Sequence, residues 1–386
     1  MKRFSFDDIT TRTGTYSAKW DQHSSLIPLS VADMDIPAPE ALIQRLNDFN
    51  QKGIYGYTDL SQNWNETVKN WCQRQYQWEI EADWVVFCPR VIQAVSLYLQ
   101  NFTQPGDRIV TFSPAYHPIN NAVIVNQRSL VESELRYDAG KYEIDFADLE
   151  EKLVGAKCFI LLSPHNPTGI VWSAPILEKL CSLLEKHQVF IISDDVHADF
   201  VFNNRHHHVI SKVSQYTNNN SLICTSPGKT FNLAGLEIAN IIIANPLIRE
   251  RFKLILEAAG IHNPGYFSVP ALDTAYQHCD DWVRALKEYI AANKAYTRDF
   301  LLHHFPQLTI SDTDGTYLLW VDYRGLGITE PEVRHWFNQL AGVDVSWGSG
   351  FGPAGEGFFR INVAAPRQIL EQALIKIAAT YSSEHF

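Results

Sequence analysis

The stretch TSPGKTFNLAGL, residues 225–236, decides how the chain is read. It follows SLIC (221–224), an apolar run with the character of a buried strand, and it carries a single lysine, Lys229, between a glycine and a threonine. A lysine at the end of a packed strand needs a reason, because burying an unpaired ammonium is expensive. Either an anion faces Lys229 or the side chain is not an ammonium in the working protein.

The chain surrounding it has 386 residues, 46% of them hydrophobic and 19% charged, enough for two or three domains with sizeable cores. A formal net charge of −11 argues against a nucleic-acid partner, which would want a basic face. No basic amphipathic stretch suggests a membrane surface, and no apolar run approaches the roughly 18 residues of a spanning helix. The opening MKRFSFDDITTRTG lacks the apolar core of a signal peptide. Six scattered cysteines without a CxxC pair read as reduced core residues of a cytoplasmic protein.

The middle of the chain alternates apolar runs (DRIVTFSP, KCFILLSP, VFIISDD, SLICTSP, ANIIIANP) with helical patterns such as APILEKLCSLLEKHQ. In that helix Ile176, Leu177, Leu180, Leu183 and Leu184 form one face. Strand–helix alternation predicts an α/β fold with a mostly parallel sheet buried on both sides by helices. After about residue 285 a long helical pattern leads to GTYLLWVDY, TEPEVRHWFNQL, GFFRINVA and a last helix. We therefore expect a large domain over 45–285 and a small α+β domain built from 1–44 and 286–386. TNNNS near residue 217 reads as a loop, and Trp64, Trp71, Trp78 and Trp84 as packing.

Three apolar runs end in unusual polar residues: KCFILLSP before HNPTG (165–169), VFIISDD at Asp194 and Asp195 with His197 close behind, and SLICTSP before Lys229. The carboxyl ends of parallel strands line the ligand crevice of such sheets, so Asn166, Asp194, His197 and Lys229 are expected to meet. Singly each has a plain reading: NPTG is a good turn, a strand-end aspartate is commonly a helix cap, and a lysine is usually solvated. Together they point to pyridoxal 5'-phosphate. Lysine supplies an amine to its aldehyde, a carboxylate keeps its ring nitrogen protonated, and an amide and imidazole sit near its phenolic oxygen. The RHHHV run (His206 to His208) suggests no metal, because adjacent loop histidines rarely share an ion without further ligands.

The combination resembles the fold-type I pyridoxal-phosphate enzymes of the class I/II aminotransferase group, and within them the MalY/PatB branch of cystathionine β-lyases, or C–S lyases. LSVADMDIPAPEAL, GIYGYTD, FTQPGDRIVTFSPAYHP, SPHNPTGIVW, IISDDVHADFVF, SPGKTFNLAGL, GTYLLWVDYR and GFFRINVAAPR carry the resemblance almost end to end. It implies that Lys229 is the Schiff-base lysine, Asp194 the partner of the ring nitrogen, and Asn166 and His197 neighbours of the phenolic oxygen. Tyr116 would stack on the ring, and Arg360 would grip the substrate's α-carboxylate. Val91 and Ile92 amides and the Ser226 hydroxyl would hold the phosphate. Tyr57 would reach the phosphate of a neighbouring subunit, implying a homodimer with shared sites. Asp33 and Met34, in ADMD, are expected in the substrate side-chain pocket.

Four positions depart from the pattern: Arg90 stands for a usual glycine, Gly228 for a serine, Asp195 for a glutamate, and Glu237 where many aminotransferases carry a phosphate-binding arginine. If position 90 needs a positive φ, arginine is strained there; if not, its charge is free to help hold the phosphate. The expected activity is α,β-elimination from L-cystathionine or a related cysteine S-conjugate, giving pyruvate, ammonia and a thiol. An aminotransferase using the same residues is the first alternative, and a cofactor-binding regulator acting through protein contacts the second.

Overall fold

A computed structural model describes residues 4–22, 25–311 and 313–381. Its main sheet has eight strands: β1 (Val85–Cys88), β2 (Arg108–Ser113), β3 (Ser129–Asp138), β4 (Lys141–Ile144), β5 (Ala156–Leu162), β6 (Phe190–Asp194), β7 (Ser221–Thr225) and β8 (Ala239–Ile242). They lie in the order β1-β8-β7-β6-β5-β2-β3-β4. The neighbours from β7 through β6, β5 and β2 to β3 pair in parallel, whereas β8 runs antiparallel to both its neighbours and β4 antiparallel to β3. Strands β6, β7 and β8 are buried at every position, as expected of strands covered on both faces. The run ANIIIANP is thus a strand as expected, but in the minority direction, which an apolar run cannot reveal.

A second, antiparallel sheet follows in the chain: β9 (Thr309–Ile310), β10 (Leu318–Asp322), β11 (Ser346–Trp347) and β12 (Phe358–Asn362), in the order β9-β10-β12-β11. The long helix Asp280–His304 leads into it. TEPEVRHWFNQL splits into an α-helical turn, Glu330–Arg334, and a π-helical segment, His335–Ala341. TNNNS is not a loop: residues 217–219 lie in the short helix Gln215–Asn219, which Ser214 and Thr217 start with a reciprocal capping box.

The N-terminal segment packs against the C-terminal part of the chain. Ile27–Pro28 pairs in parallel with Val343–Asp344, and Phe6 packs on Trp282 and Tyr289. A buried ionic knot ties Arg12 and Lys19 to Asp33 and Asp35. The Lys19 ammonium, wholly buried, lies 2.7 Å from Asp35, and Arg12 reaches both Asp33 and Asp35 at 2.7 Å. Trp20 Nε1 donates to the same Asp35 carboxylate at 2.7 Å. All four aromatic anchors read from the sequence lie where packing was expected, with Trp64, Trp71 and Trp78 buried and Trp84 packed against the same core. The six cysteines are free and buried.

Removing one charge from the knot strands the other, and breaking a buried ion pair costs about 3–5 kcal/mol. Asp35→Asn should therefore lower unfolding free energy in urea by about 3 kcal/mol. A loss below about 1 kcal/mol would mean that Lys19 finds another anion or water.

Candidate active site

Strands β2, β5, β6 and β7 are consecutive parallel neighbours, so the residues that follow their carboxyl ends share one crevice. Those residues are Tyr116, Asn166, Asp194 and Lys229. The lysine is held by its own stretch of chain. Ser226 caps the short helix Pro227–Thr230, accepting from the Gly228 amide at 2.9 Å and donating to the Ile238 carbonyl at 2.5 Å. Thr230 donates to Asp199 at 2.5 Å, and the wholly buried Phe231 packs on Trp71 and Trp282. A side chain at position 228 would bring its Cβ to 2.9 Å from Ser226 Oγ, so the glycine leaves that hydroxyl its capping geometry.

Lys229 Nζ donates to the Ala32 carbonyl at 2.6 Å, which also accepts from the Tyr317 hydroxyl at 2.9 Å. Asn232 ties the same segment down, accepting from the Met34 amide at 3.1 Å and donating to the Met34 and Ile36 carbonyls. The lysine thus works against backbone, not against a carboxylate. Burial, helped by the Arg360 charge, pulls its ammonium down to about 8. Asp194, at the tip of β6, is pushed up to about 7, chiefly by burial, and among the described residues its carboxylate accepts only a 3.3 Å bond from the Val196 amide. His197 lies buried beside Tyr317 with its Nδ1 unpartnered, and burial holds it neutral well below the usual histidine range.

Arg360, on β12, crosses from the second sheet into the crevice. Its Nη1 donates to Asn166 Oδ1 at 2.8 Å, and its Nη2 to the Ser30 carbonyl at 2.9 Å and to Ser346 Oγ at 3.0 Å. Its plane lies 4.9 Å from the Phe351 ring centre. No carboxylate pairs with it among the described residues, its Nε is buried without a partner, and burial pulls the guanidinium down to about 10. A buried guanidinium without a counter-ion, with donors left over, is built for an anion that arrives from outside.

Next to Lys229 opens a small cavity bounded by Arg90, Val91, Val196, Ser226, Gly228 and Glu237. It meets the N-terminus of helix Val91–Phe102, whose first amides have no side-chain cap. Free amides, the helix dipole and a serine suit a phosphate. The Arg90 departure carries no strain: its φ is −141°, ordinary extended backbone. Its guanidinium pairs with Glu237 across the cavity mouth, so two departures from the family pattern answer each other. Asp195 accepts from His207 Nε2 at 2.7 Å and from Ser193, which gives the second histidine of RHHHV a structural use. Among the described residues no three His, Cys, Asp or Glu side chains are grouped to hold a metal.

Three expected site residues are placed differently from the rest. Met34 is wholly buried in the core and offers the crevice only its backbone segment. Asp33 is engaged by Arg12, so its carboxylate is not free for a substrate. Tyr57 is fully exposed and lies away from its own chain's crevice lining. Sequence reasoning missed Tyr317, the Ala32 carbonyl, Ser346, Trp347 and Phe351. Tyr317, just before β10, and Trp347, in β11, carry no signal beyond aromaticity, and a backbone carbonyl has no sequence signature at all.

Residues 24–377 match the aminotransferase class I and II family. The chain is 35% identical to cystathionine β-lyase PatB of Bacillus subtilis over 98% of its own length and 100% of that protein. It is 31% identical to the protein MalY of Escherichia coli, covering 96% of this chain and 97% of that one. The crystal structure of cystalysin from Treponema denticola, which contains pyridoxal 5'-phosphate, superposes with a TM-score of 0.93 at 31% identity over 98% of each chain. With its crevice at the strand ends and these relatives end to end, the chain has the fold-type I architecture and belongs to the class I and II aminotransferase family, in the branch that holds PatB and MalY.

Proposed function

We propose that the protein is a pyridoxal-phosphate-dependent carbon–sulfur β-lyase acting on L-cystathionine or a related cysteine S-conjugate. The observation that carries this is the meeting of a depressed lysine, a raised aspartate and an unpaired buried arginine in one crevice. The residues fit the cofactor: His197 and Arg360 each carry a buried polar atom without a partner, and an uncapped helix end with Ser226 opens beside Lys229. Lys229 would hold it covalently, Asp194, Asn166, His197 and Tyr116 its ring, and Val91, Ile92 and Ser226 its phosphate. When bound, pyridoxal phosphate supplies an electron sink for negative charge at the substrate's Cα.

The chain's own groups do the rest. Arg360 takes the substrate α-carboxylate while Asn166 keeps its guanidinium oriented. A lysine drawn down to about 8 has about a fifth of its amine neutral near physiological pH, far more than an ordinary lysine, so the freed Lys229 amine can take the Cα proton. The Cβ–S bond then breaks, with sulfur leaving on its electron pair and being protonated as the thiol. The three-carbon remainder takes up water and ends as pyruvate and ammonia. An aminotransferase would use the same groups and return the proton elsewhere. PatB's description as a cystathionine β-lyase favours the lyase.

The same reading makes the protein a homodimer whose sites are shared. Tyr57, Tyr55 and Ile54 stand exposed in one irregular segment, apolar surface of the kind that marks an interface. It also keeps the large unit over 45–285 and the small unit from 1–44 and 286–386, supported by the separation of the eight-stranded sheet from the four-stranded sheet and the two-stranded pair of Ile27–Pro28 with Val343–Asp344. A cytoplasmic location is supported by six free, buried cysteines, and no helix among the described residues is long and apolar enough to cross a membrane.

Lys229→Ala should abolish pyruvate release from L-cystathionine and the visible absorbance of the cofactor-loaded protein; normal turnover would end the assignment. In the cofactor-free protein, adduct formation with pyridoxal should rise with pH around an inflection of about 8. Arg360→Gln should move that inflection upward, because the Arg360 charge depresses the lysine. An inflection at the ordinary lysine value of about 10.4 in the native sequence would contradict the burial argument. Tyr57→Ala should weaken cofactor binding about tenfold, the worth of one charge-assisted hydrogen bond, and unchanged affinity would remove the shared site.

A further inference from the structure

Outside Arg360 a groove of about 460 Å³ runs past Tyr116, His117, Phe351 and Trp347 to a second arginine, Arg334. That volume is in the range of small-molecule sites. No carboxylate lines it, although the chain carries 43 acidic residues against 32 lysines and arginines. Each guanidinium lies over an aromatic ring: Arg360 is 4.9 Å from the centre of Phe351, and Arg334 is 5.0 Å from that of Trp347. The outer shelf is firm, since Trp347 packs edge-on against the buried Phe337 at 5.8 Å.

Arg334 is aimed but not used up. Its Nε and Nη2 donate to Glu330 Oε1 at 2.9 and 2.6 Å, and Ser349 Oγ donates to the same oxygen at 2.7 Å. Its Nη1 has no protein partner among the described residues, and Glu330 is not part of the groove lining. Glu330, which does not line the groove, therefore takes the Nε and Nη2 donors of the planar fork and sets its direction, leaving the Nη1 donors free.

We propose that Arg334 is the specificity-determining residue for a second carboxylate at the far end of the substrate. The preferred substrates are then cysteine S-conjugates whose leaving thiol carries a carboxylate. The α-carboxylate sits on Arg360, the thioether chain crosses the aromatic floor, and the distal carboxylate meets Arg334. L-Cystathionine is one member of this class, and the inference rests on the lyase reading.

The test compares S-(2-carboxyethyl)-L-cysteine with its amide, S-(2-carbamoylethyl)-L-cysteine, which has the same shape without the charge. Pyruvate release by the holoenzyme should favour the acid about tenfold in kcat/KM. Arg334→Gln should remove that preference through the KM of the acid, moving the amide less than about twofold, and Arg334→Lys should restore part of it. An acid-to-amide ratio that Arg334→Gln leaves unchanged would overturn the proposal. If neither conjugate yields pyruvate, the lyase reading fails separately. The subsite is then judged on the dissociation constants of the two conjugates for the unreactive holoenzyme. Tighter binding of the acid that Arg334→Gln abolishes supports it, and equal affinities overturn it.

Discussion

The structure depends on keeping a lysine and an aspartate buried at the ends of adjacent strands without letting them neutralise each other. Lys229 turns to the Ala32 carbonyl, and Asp194 accepts one long amide bond. Both are then held away from their ordinary ionisation, the lysine downward and the carboxyl upward. A direct ion pair would have settled both charges and left nothing to do. The rest of the fold prevents it: Phe231 and Thr230 anchor the lysine's turn from one side, and Asn232 anchors the segment that carries Ala32 from the other.

That segment explains the ionic knot at the N-terminus. A carbonyl is a useful partner for Lys229 only if its position is fixed, and residues 32–36 are irregular chain with no helix or strand to fix them. Lys19 and Arg12 grip Asp33 and Asp35, while Asn362 donates to the Val31 and Asp33 carbonyls from the second sheet. Arg360 and Asn362 stand on the same strand, so the strand that brings Arg360 into the crevice also helps hold the backbone beneath the lysine. The ADMD stretch thus contributes through its backbone and its charges, and not through Met34 as a pocket wall.

What the sequence made legible was chemistry attached to strand ends. Asn166, Asp194 and Lys229 each follow an apolar run, and four consecutive parallel strands bring Tyr116 to join them. What stayed hidden depends on pairing between distant residues. Nothing in ANIIIANP encodes its antiparallel direction. Nothing local announces that Arg90 and Glu237, 147 residues apart, answer each other at the cavity mouth. The short helix Gln215–Asn219 was masked by asparagines, poor helix formers that a capping box outweighs in one turn. Arg334 gave no signal because an i,i+4 pair with Glu330 looks like any solvated helix face until the groove beside it is seen.

The central claim is that the amine of Lys229, and of no other lysine, bonds the cofactor's aldehyde carbon. Borohydride reduction of the pyridoxal-phosphate-loaded protein, followed by proteolysis and mass spectrometry, addresses it directly. The account predicts one phosphopyridoxyl group per chain, on the peptide that contains TSPGKTFN. A label on a different lysine, or none, would contradict it.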